Sequence, residues 1–357
     1  MRPLPATPID SPAAWRPDDF KEDDSWIVHF DPEMLDELDS AVAACKQRGI
    51  GAFEATKDDF VAPRVATCLR EVERELDSGR GFVMMRGLPV EKYTADDLRL
   101  LYWGLGIHLG TPISQNGLGE LISEVTDRGY DHSVENVRGY TTRGGQNPHT
   151  DHGDVVGLLC VHPAKSGGKS AITSSISVFN EILRTRPDYL DYLATGLHWD
   201  LRGEGPTRDL DEVTKNKLPM FSYFDGVLSV KFNGKTSVAG MKKAGMPLSE
   251  EALAAIAYVR DLARSDAFRL DMDFQPGDIQ LLCNHSILHA RTGYEDWLEE
   301  HRRRRLYRLW VNLPNGRKLA PEFADRTNMG YMAGFYATDN AQYWAGSSKD
   351  QIEAREI

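Results

Sequence analysis

Two histidines and two aspartates crowd into six positions of the stretch NPHTDHGD: His149, Asp151, His152 and Asp154. In an extended segment, residues i and i+2 point to the same side. His149 and Asp151 can therefore bring an imidazole nitrogen and a carboxylate oxygen to one point. Two donors hold a divalent ion poorly, so a third is needed from a distant part of the chain. The stretch CNHSILHARTGY offers it. Its strand-like flanks place His285 and His289 on one face, and either can reach inward. Two histidines and one carboxylate leave three adjacent coordination positions open, the facial arrangement used by non-haem Fe(II) oxygenases. The same donors on a cupin-like barrel would serve a zinc- or manganese-dependent hydrolase or isomerase.

A second set of residues bears on that choice. The run HRRRRLYRLW, residues 301–310, has the look of a basic patch. It continues directly into a strand pattern, and on that strand Arg304, Leu306, Arg308 and Trp310 share a face. A guanidinium beside Leu and Trp is partly buried and requires an anion, because an unpaired buried charge is very costly. Its planar fork suits a carboxylate held bidentately. A hydrolase has no need of such an arginine. A catalytically silent jelly-roll binding protein has no need of the three metal donors either.

These residues need elements to position them. Val65, Leu69, Val72 and Leu76 predict a helix over 58–76, stopped by Gly79 and Gly81. GFVMMRGLP follows as a short buried strand, and Thr94 caps a second helix with Leu98, Leu101, Tyr102 and Leu105 on one face. After the histidine-rich loop, VVGLLCVHP and GGKSAITSSISVF read as strands, the second entered through a glycine turn. SVFNEILRTRPDYLDYLATG reads as helical, with a second short helix from Pro187. FSYFDGVLSVKFNG reads as a hairpin around Asp225-Gly226. Ser249 caps a helix carrying Leu253, Ile256, Val259 and Leu262. FQPGDIQLLCNHSILHARTG and RRRRLYRLWVNLP are strand-like. Helices dominate the start and strands the remainder, which is an α+β pattern around a sheet sandwich or barrel.

No composition shift marks a boundary, so one catalytic domain is expected over 61–357. An N-terminal extension, 1–60, is expected to pack on or near that core, beginning as an irregular proline-rich arm. The end, NMGYMAGFYATDNAQYW, has aromatic and glycine spacing suited to core packing, a lid, or contact between copies in a homo-oligomer.

The chain has 357 residues, 41% hydrophobic and 27% charged, enough to build a sizeable core. A net charge of −12 argues against nucleic acid as a partner. No run of 18 apolar residues exists to span a membrane, and the start lacks a signal-peptide core. The four cysteines, Cys45, Cys68, Cys160 and Cys283, form no CxxC pair. They read as small buried hydrophobes in a reducing cytoplasm, not as zinc thiolates or redox dithiols.

The combination HTD, GGKS, GDIQLLCNHSILHART and RRRLYRLW, in this order and spacing, resembles the taurine dioxygenase (TauD/TfdA) family within the clavaminate-synthase-like group. The resemblance runs from Gly81 to Pro314. It implies a double-stranded β-helix, or jelly roll, with flanking helices and helical insertions. It implies Fe(II), 2-oxoglutarate as cosubstrate and O2, with hydroxylation of a C–H bond and release of succinate and CO2. His149, Asp151 and His289 match the metal ligands and catalytic centre; His152 and His285 are then structural. Arg304 matches the partner of the far carboxylate of 2-oxoglutarate. Ser170 stands where the family usually has threonine and offers the same carboxylate a hydroxyl, with Thr173 as the alternative. Arg308 matches a position near cosubstrate or substrate. The carboxylate of Asp151 speaks against a halogenase, which has Ala or Gly there. In relatives, the stretch GTPISQNGLGEL is a substrate-facing loop, which makes Gln115 and Asn116 candidate substrate contacts; Asn147, two before the first ligand, is another. The implied substrate is a small polar molecule carrying a carboxylate or similar anion.

Overall fold

Alternation of side chains along a few strands places the site, so the strands come first. The structure is a computed structural model that describes residues 3–130 and 137–335. In chain order it contains β1 (Ile27–His29), α1 (Pro32–Gln47), α2 (Pro63–Asp77), β2 (Phe82–Arg86), α3 (Ala95–Leu109), β3 (Thr111–Ile113) and β4 (Ile122–Val125). Then follow β5 (Gln146–His149), β6 (Val155–His162), β7 (Ser166–Gly167), β8 (Ser170–Ser174), α4 (Ser175–Thr185), α5 (Leu190–Ala194), β9 (Phe221–Phe224) and β10 (Val227–Val230). The last are α6 (Gly234–Lys243), α7 (Glu250–Arg264), β11 (Arg269–Met272), β12 (Ile279–Cys283), β13 (Ile287–Arg291), β14 (Tyr294–Glu295), β15 (Arg305–Asn312) and α8 (Pro321–Ala324).

A seven-stranded sheet runs β1-β2-β12-β6-β15-β3, with β4 also paired to β15. A four-stranded sheet runs β11-β8-β13-β5. Within both sheets, neighbours are antiparallel except β1 and β2. The inner faces meet through Phe82, Met84, Val156, Leu282 and Trp310 of the larger sheet and Ile172, Met272 and Ile287 of the smaller. This is the jelly-roll core. On the outer face of the larger sheet, Val83, Leu281, Tyr307 and Leu309 bury against Leu38, Val65, Leu69 and Leu101 of α1, α2 and α3. On the outer face of the smaller sheet, Leu288 meets Phe179 of α4 and Val259 of α7. Each such side chain contributes roughly 1.5–3 kcal/mol when fully buried.

The N-terminal residues do more than drape over this core. Trp15 is buried, donates its indole N–H to the Arg80 carbonyl at 2.9 Å, and packs edge-to-face on Phe82. β1 adds a parallel edge strand to β2. The helix expected over 58–76 starts at Pro63, because proline suits the first helical position and disfavours helix in the residue before it. The strand read through GGKSAITSSISVF stops at Ser174, whose hydroxyl accepts from the Ser177 N–H at 3.0 Å and caps α4. The hairpin forms as expected, with positive φ at Asp225 and Gly226.

One expectation is corrected. His285 and His289 do not share a strand face, because a turn over Asn284–Ser286 separates β12 from β13. Cys45, Cys160 and Cys283 are buried, Cys68 is half-buried, and all four are free. Among the described residues, no helix is long and apolar enough to cross a membrane. The NMGYMAGFYATDNAQYW stretch is described only to Phe335, which is buried among core aromatics; the rest lies outside the described residues.

Candidate active site

β5 ends at His149, and antiparallel pairing sets that residue directly opposite His289 of β13. The alternation of β13 turns Ile287 and His289 inward while Leu288 faces α7. The two imidazoles lie with ring centroids 4.2 Å apart. Asp151 follows two residues after His149. Donor atoms of His149, Asp151 and His289 all lie within 4.8 Å of one another, the one such group among the described residues.

The donor set fits an iron ion. His149 Nδ1 donates to the Asn147 carbonyl at 2.8 Å, which leaves Nε2 free, 3.9 Å from Asp151 Oδ1. His289 Nε2 lies 3.8 Å from Asp151 Oδ2. Burial, reinforced by neighbouring His149, pushes His289 down to about 3. Burial also lowers His149. Both rings are therefore neutral near pH 7, as metal ligation requires. Burial alone would raise the Asp151 carboxyl, but Arg308, His289 and His149 outweigh it and hold it well below the usual range.

The Asp151 carboxylate is also oriented. Arg308 Nη1 at 3.2 Å and the Trp310 indole N–H at 3.0 Å both donate to Oδ2, leaving Oδ1 uncommitted. Arg308 and Trp310 reach it because alternate residues of β15 face inward. The backbone around Asp151 is tied down as well. Asn284 accepts from the Asp151 N–H at 3.0 Å and donates to the His152 carbonyl at 3.0 Å. Lys231 Nζ donates to the Asp151 carbonyl at 3.1 Å. His285 faces away from the triad: its Nε2 donates to Asp154 at 2.7 Å and its Nδ1 accepts from Arg326 at 3.0 Å. His152 packs between Trp310 and Phe335.

The triad lies between two cavities. The inner one is lined by Ser170, His289, Arg291, Arg304 and Leu306 as well as His149 and Asp151. Arg304 is 3% exposed, and its Nη1 has no hydrogen-bond partner among the described residues. Arg291 is buried beside it with Nε and Nη1 unpartnered. Burial, together with Arg304, pushes Arg291 down to about 10. Two guanidiniums without a carboxylate form a receptor for an anion. Ser170 lies on this wall and donates to Gln280 Oε1 at 3.0 Å. Thr173 does not: it points to the other side of β8 and donates to the Ala263 carbonyl. The glycine turn before Ser170 is needed, since Gly167 and Gly168 have φ of 72° and 68°, and a Cβ on Gly168 would lie 3.2 Å from Arg304 Nε. Arg291 was absent from the sequence-based site; the signal was its place two residues after His289, on the same strand face.

The outer cavity is a cleft of about 680 Å³ bounded by His149, Asp151 and Arg308 on one side and by α6 and α7 on another. Asn147 lines it. Gln115 and Asn116 do not, which corrects their expected role. Gln115 is buried, donates to the Arg308 and Leu121 carbonyls and accepts from Arg308 Nε at 2.6 Å. Asn116 closes its own loop by accepting from the Leu118 and Glu120 N–H groups. The sequence-based site also missed Lys231 and Arg326, both buried and both in the cleft wall. Burial, with Arg326 nearby, pushes the Lys231 ammonium well below its ordinary range.

Comparison with known proteins gives three kinds of likeness. The family model described as "Taurine catabolism dioxygenase TauD, TfdA family" matches residues 46–310. FR-33289 synthase of Streptomyces rubellomurinus is 28% identical over 317 residues, covering 87% of this chain and 92% of that protein. Taurine hydroxylase-like protein SAT17 of Stachybotrys chartarum is 26% identical over 313 residues, covering 83% and 77%. Among solved structures, asparagine oxygenase with Fe(II), hydroxyasparagine and succinate superposes with a TM-score of 0.63 at 15% identity, over 80% of this chain and 93% of that one. The non-heme iron oxygenase OrfP with Fe and alpha-ketoglutaric acid does so at 0.56 and 14%, over 80% and 94%. At these identities the structural likeness is one of fold.

Proposed function

This chain belongs to the TauD, TfdA dioxygenase family, and from that premise we propose that it hydroxylates a C–H bond of a small anionic molecule held in the outer cleft. It is a non-haem Fe(II)- and 2-oxoglutarate-dependent dioxygenase. Family membership decides against the hydrolase or isomerase alternative. The observation that carries the reading is the position of His149, Asp151 and His289 between two cavities of different character. One is narrow and carries buried arginines; the other is open and wide enough for a second molecule.

In this reading His149, Asp151 and His289 hold the iron. Bound iron, with 2-oxoglutarate and O2, supplies oxidative decarboxylation to succinate and CO2 coupled to oxygen insertion into a C–H bond. Arg304 and Arg291 neutralise the far carboxylate of 2-oxoglutarate, and Ser170 adds a hydroxyl. Fixing that end lowers the entropic cost of aligning the other. Arg308 orients Asp151 and, through its unpartnered Nη2, faces whatever occupies the cavities. The protein positions and shields, while the cofactor carries the difficult chemistry. One catalytic domain over 61–357 with the 1–60 extension, and a cytoplasmic location suited to four free thiols, complete the proposal.

Anaerobic addition of Fe(II) and 2-oxoglutarate should produce the weak visible charge-transfer band of a chelated cosubstrate. Arg304→Ala should lose it at cosubstrate levels that saturate the parent protein. A metal-loaded protein without the band would overturn the assignment of this triad. Screening small anions for succinate release above the substrate-free background then identifies the substrate.

A further inference from the structure

Gln115 lines neither cavity, yet it is fully buried against Arg308, which lines both. Its backbone is tied down first. The Gln115 N–H donates to the Glu120 carbonyl at 2.9 Å, and its own carbonyl accepts from Arg138 Nη2 at 2.8 Å. The side-chain amide is held as firmly. Nε2 donates to the Leu121 carbonyl at 2.9 Å and to the Arg308 carbonyl at 2.7 Å. Both amide hydrogens are therefore spent on carbonyls, which settles the orientation: turned over, the amide oxygen would face two carbonyl oxygens. Oε1 is left to accept from Arg308 Nε at 2.6 Å. A fixed amide thus holds one corner of the guanidinium.

The opposite corner acts on the metal site. Arg308 Nη1 donates to Asp151 Oδ2 at 3.2 Å, while Nη2 makes no hydrogen bond to any described residue. The contact with the carboxylate is therefore to one oxygen. Arginine and carboxylate frequently close instead into a fork of two parallel hydrogen bonds, which takes both oxygens. Such a fork on Asp151 would compete with iron for the ligand atom. The rings of Tyr140 and Trp310 flank the Arg308 guanidinium, with centroids 4.6 and 4.7 Å away. Attraction to a ring face does not choose which nitrogen points at Asp151. The hydrogen bond from Nε to Gln115 does, because a guanidinium freed at that corner can swing to present two N–H groups.

We propose that Gln115 is a positioning residue for the metal site: by holding Arg308 Nε it restrains that guanidinium to a one-oxygen contact with Asp151 and reserves the other oxygen for iron. This rests on the dioxygenase reading of the triad, and it extends the metal site to a residue that touches neither cavity.

The test is anaerobic titration with Fe(II) of the parent protein, Gln115→Leu, Gln115→Glu, Arg308→Met and the Gln115→Leu/Arg308→Met double variant. Denaturant unfolding of each iron-free protein is measured alongside. Gln115→Leu should weaken iron binding about tenfold or more, the loss expected when an outer partner of a ligand is disturbed. In the Arg308→Met background the same change should cost no more than about twofold, because the group it controls is gone. Gln115→Glu keeps an oxygen that accepts from Nε but loses amide donors. It should be less stable than the parent and still bind iron within about threefold of it, whereas a merely structural role would make affinity follow stability.

Parental iron affinity in folded Gln115→Leu protein overturns the proposal. So do losses that add in the double variant, or a Gln115→Glu protein that loses as much affinity as Gln115→Leu. If Gln115→Leu does not fold, Gln115→Asn takes its place under the same criteria, since it keeps the amide but withdraws it by one methylene. A parent protein that binds no Fe(II), or binds it equally well as His289→Ala, contradicts the dioxygenase reading of the triad. A parent that binds iron through the triad, with Gln115 variants that bind it as well, contradicts only the role of Gln115.

Discussion

His149 and His289 are cross-strand partners: the last residue of β5 and the middle residue of β13 stand opposite each other in one antiparallel register, their rings 4.2 Å apart. Sheet pairing therefore fixes two of the three metal donors before any ion arrives. The third, Asp151, lies in the loop just beyond β5 and is held by Asn284, Lys231, Arg308 and Trp310. Because a one-residue slip of β13 would turn His289 outward, the hydrophobic alternation of Ile287 and Leu288 protects the site's geometry.

Replacing His289 by Ala should abolish iron binding and succinate production while leaving the fold intact. The ring is buried, yet its loss leaves no unpaired partner among the described residues, since its Nδ1 makes no hydrogen bond to any of them. Iron titration should show a loss greater than the 10- to 100-fold of about that size typical when only an outer partner of a ligand is removed. Near-parental iron affinity would remove His289 from the ligand set.

Trp310→Phe tests that outer layer. The change keeps the aromatic packing of β15 but removes the indole N–H that donates to Asp151 Oδ2 at 3.0 Å. Iron affinity should fall about 10- to 100-fold. Circular dichroism should be unchanged, and cosubstrate affinity, measured at saturating iron, should change little.

The cosubstrate pocket gives a graded series. Arg304→Met and Arg291→Met each remove a buried charge-assisted contact, about 1.5–3 kcal/mol. The KM for 2-oxoglutarate should rise about ten- to a hundredfold. Ser170→Ala should raise it only a few fold, about 1 kcal/mol for a neutral hydrogen bond. Thr173→Val should leave it unchanged, because Thr173 bonds the Ala263 carbonyl on the far side of β8. A large cosubstrate defect in the Thr173 variant would exchange the two assignments.

Legibility in the sequence followed the range of the interactions. His149 and Asp151 are two apart on an extended segment, and Arg308 and Trp310 alternate on β15 with Arg304 just before its first residue, so local geometry announces them. The choice between His285 and His289 did not follow from periodicity, because the turn at Asn284 interrupts it; the family spacing selected His289. Gln115 and Asn116 looked like ligand contacts because amides in a loop are chemically ambiguous. Only the folded chain brings the β15 guanidinium onto Gln115. Lys231 and Arg326 were invisible for the same reason. They come from the end of a hairpin and from the stretch following α8, and no spacing rule connects them.

The final prediction concerns pH and a histidine outside the metal site. His285 is fully buried as a neutral ring, donating to Asp154 and accepting from Arg326. Burial is the main cause that pushes it from 6.5 down to about 4. The unfolded chain thus takes up a proton near pH 6.5 that the folded chain refuses until near pH 4. Its contribution to stability is complete above pH 6.5 and is lost as pH falls from there toward 4. The shift corresponds to about 3 kcal/mol at most. Denaturant unfolding at a series of pH values should show parental stability falling across that window. His285→Gln should be less stable at pH 7, because Asp154 and Arg326 lose a matched partner. Its stability should also fall less steeply with acid, so that the two curves converge toward pH 4. Parallel curves would show that the imidazole does not titrate in this range and that Asp154 or other carboxylates carry the acid sensitivity.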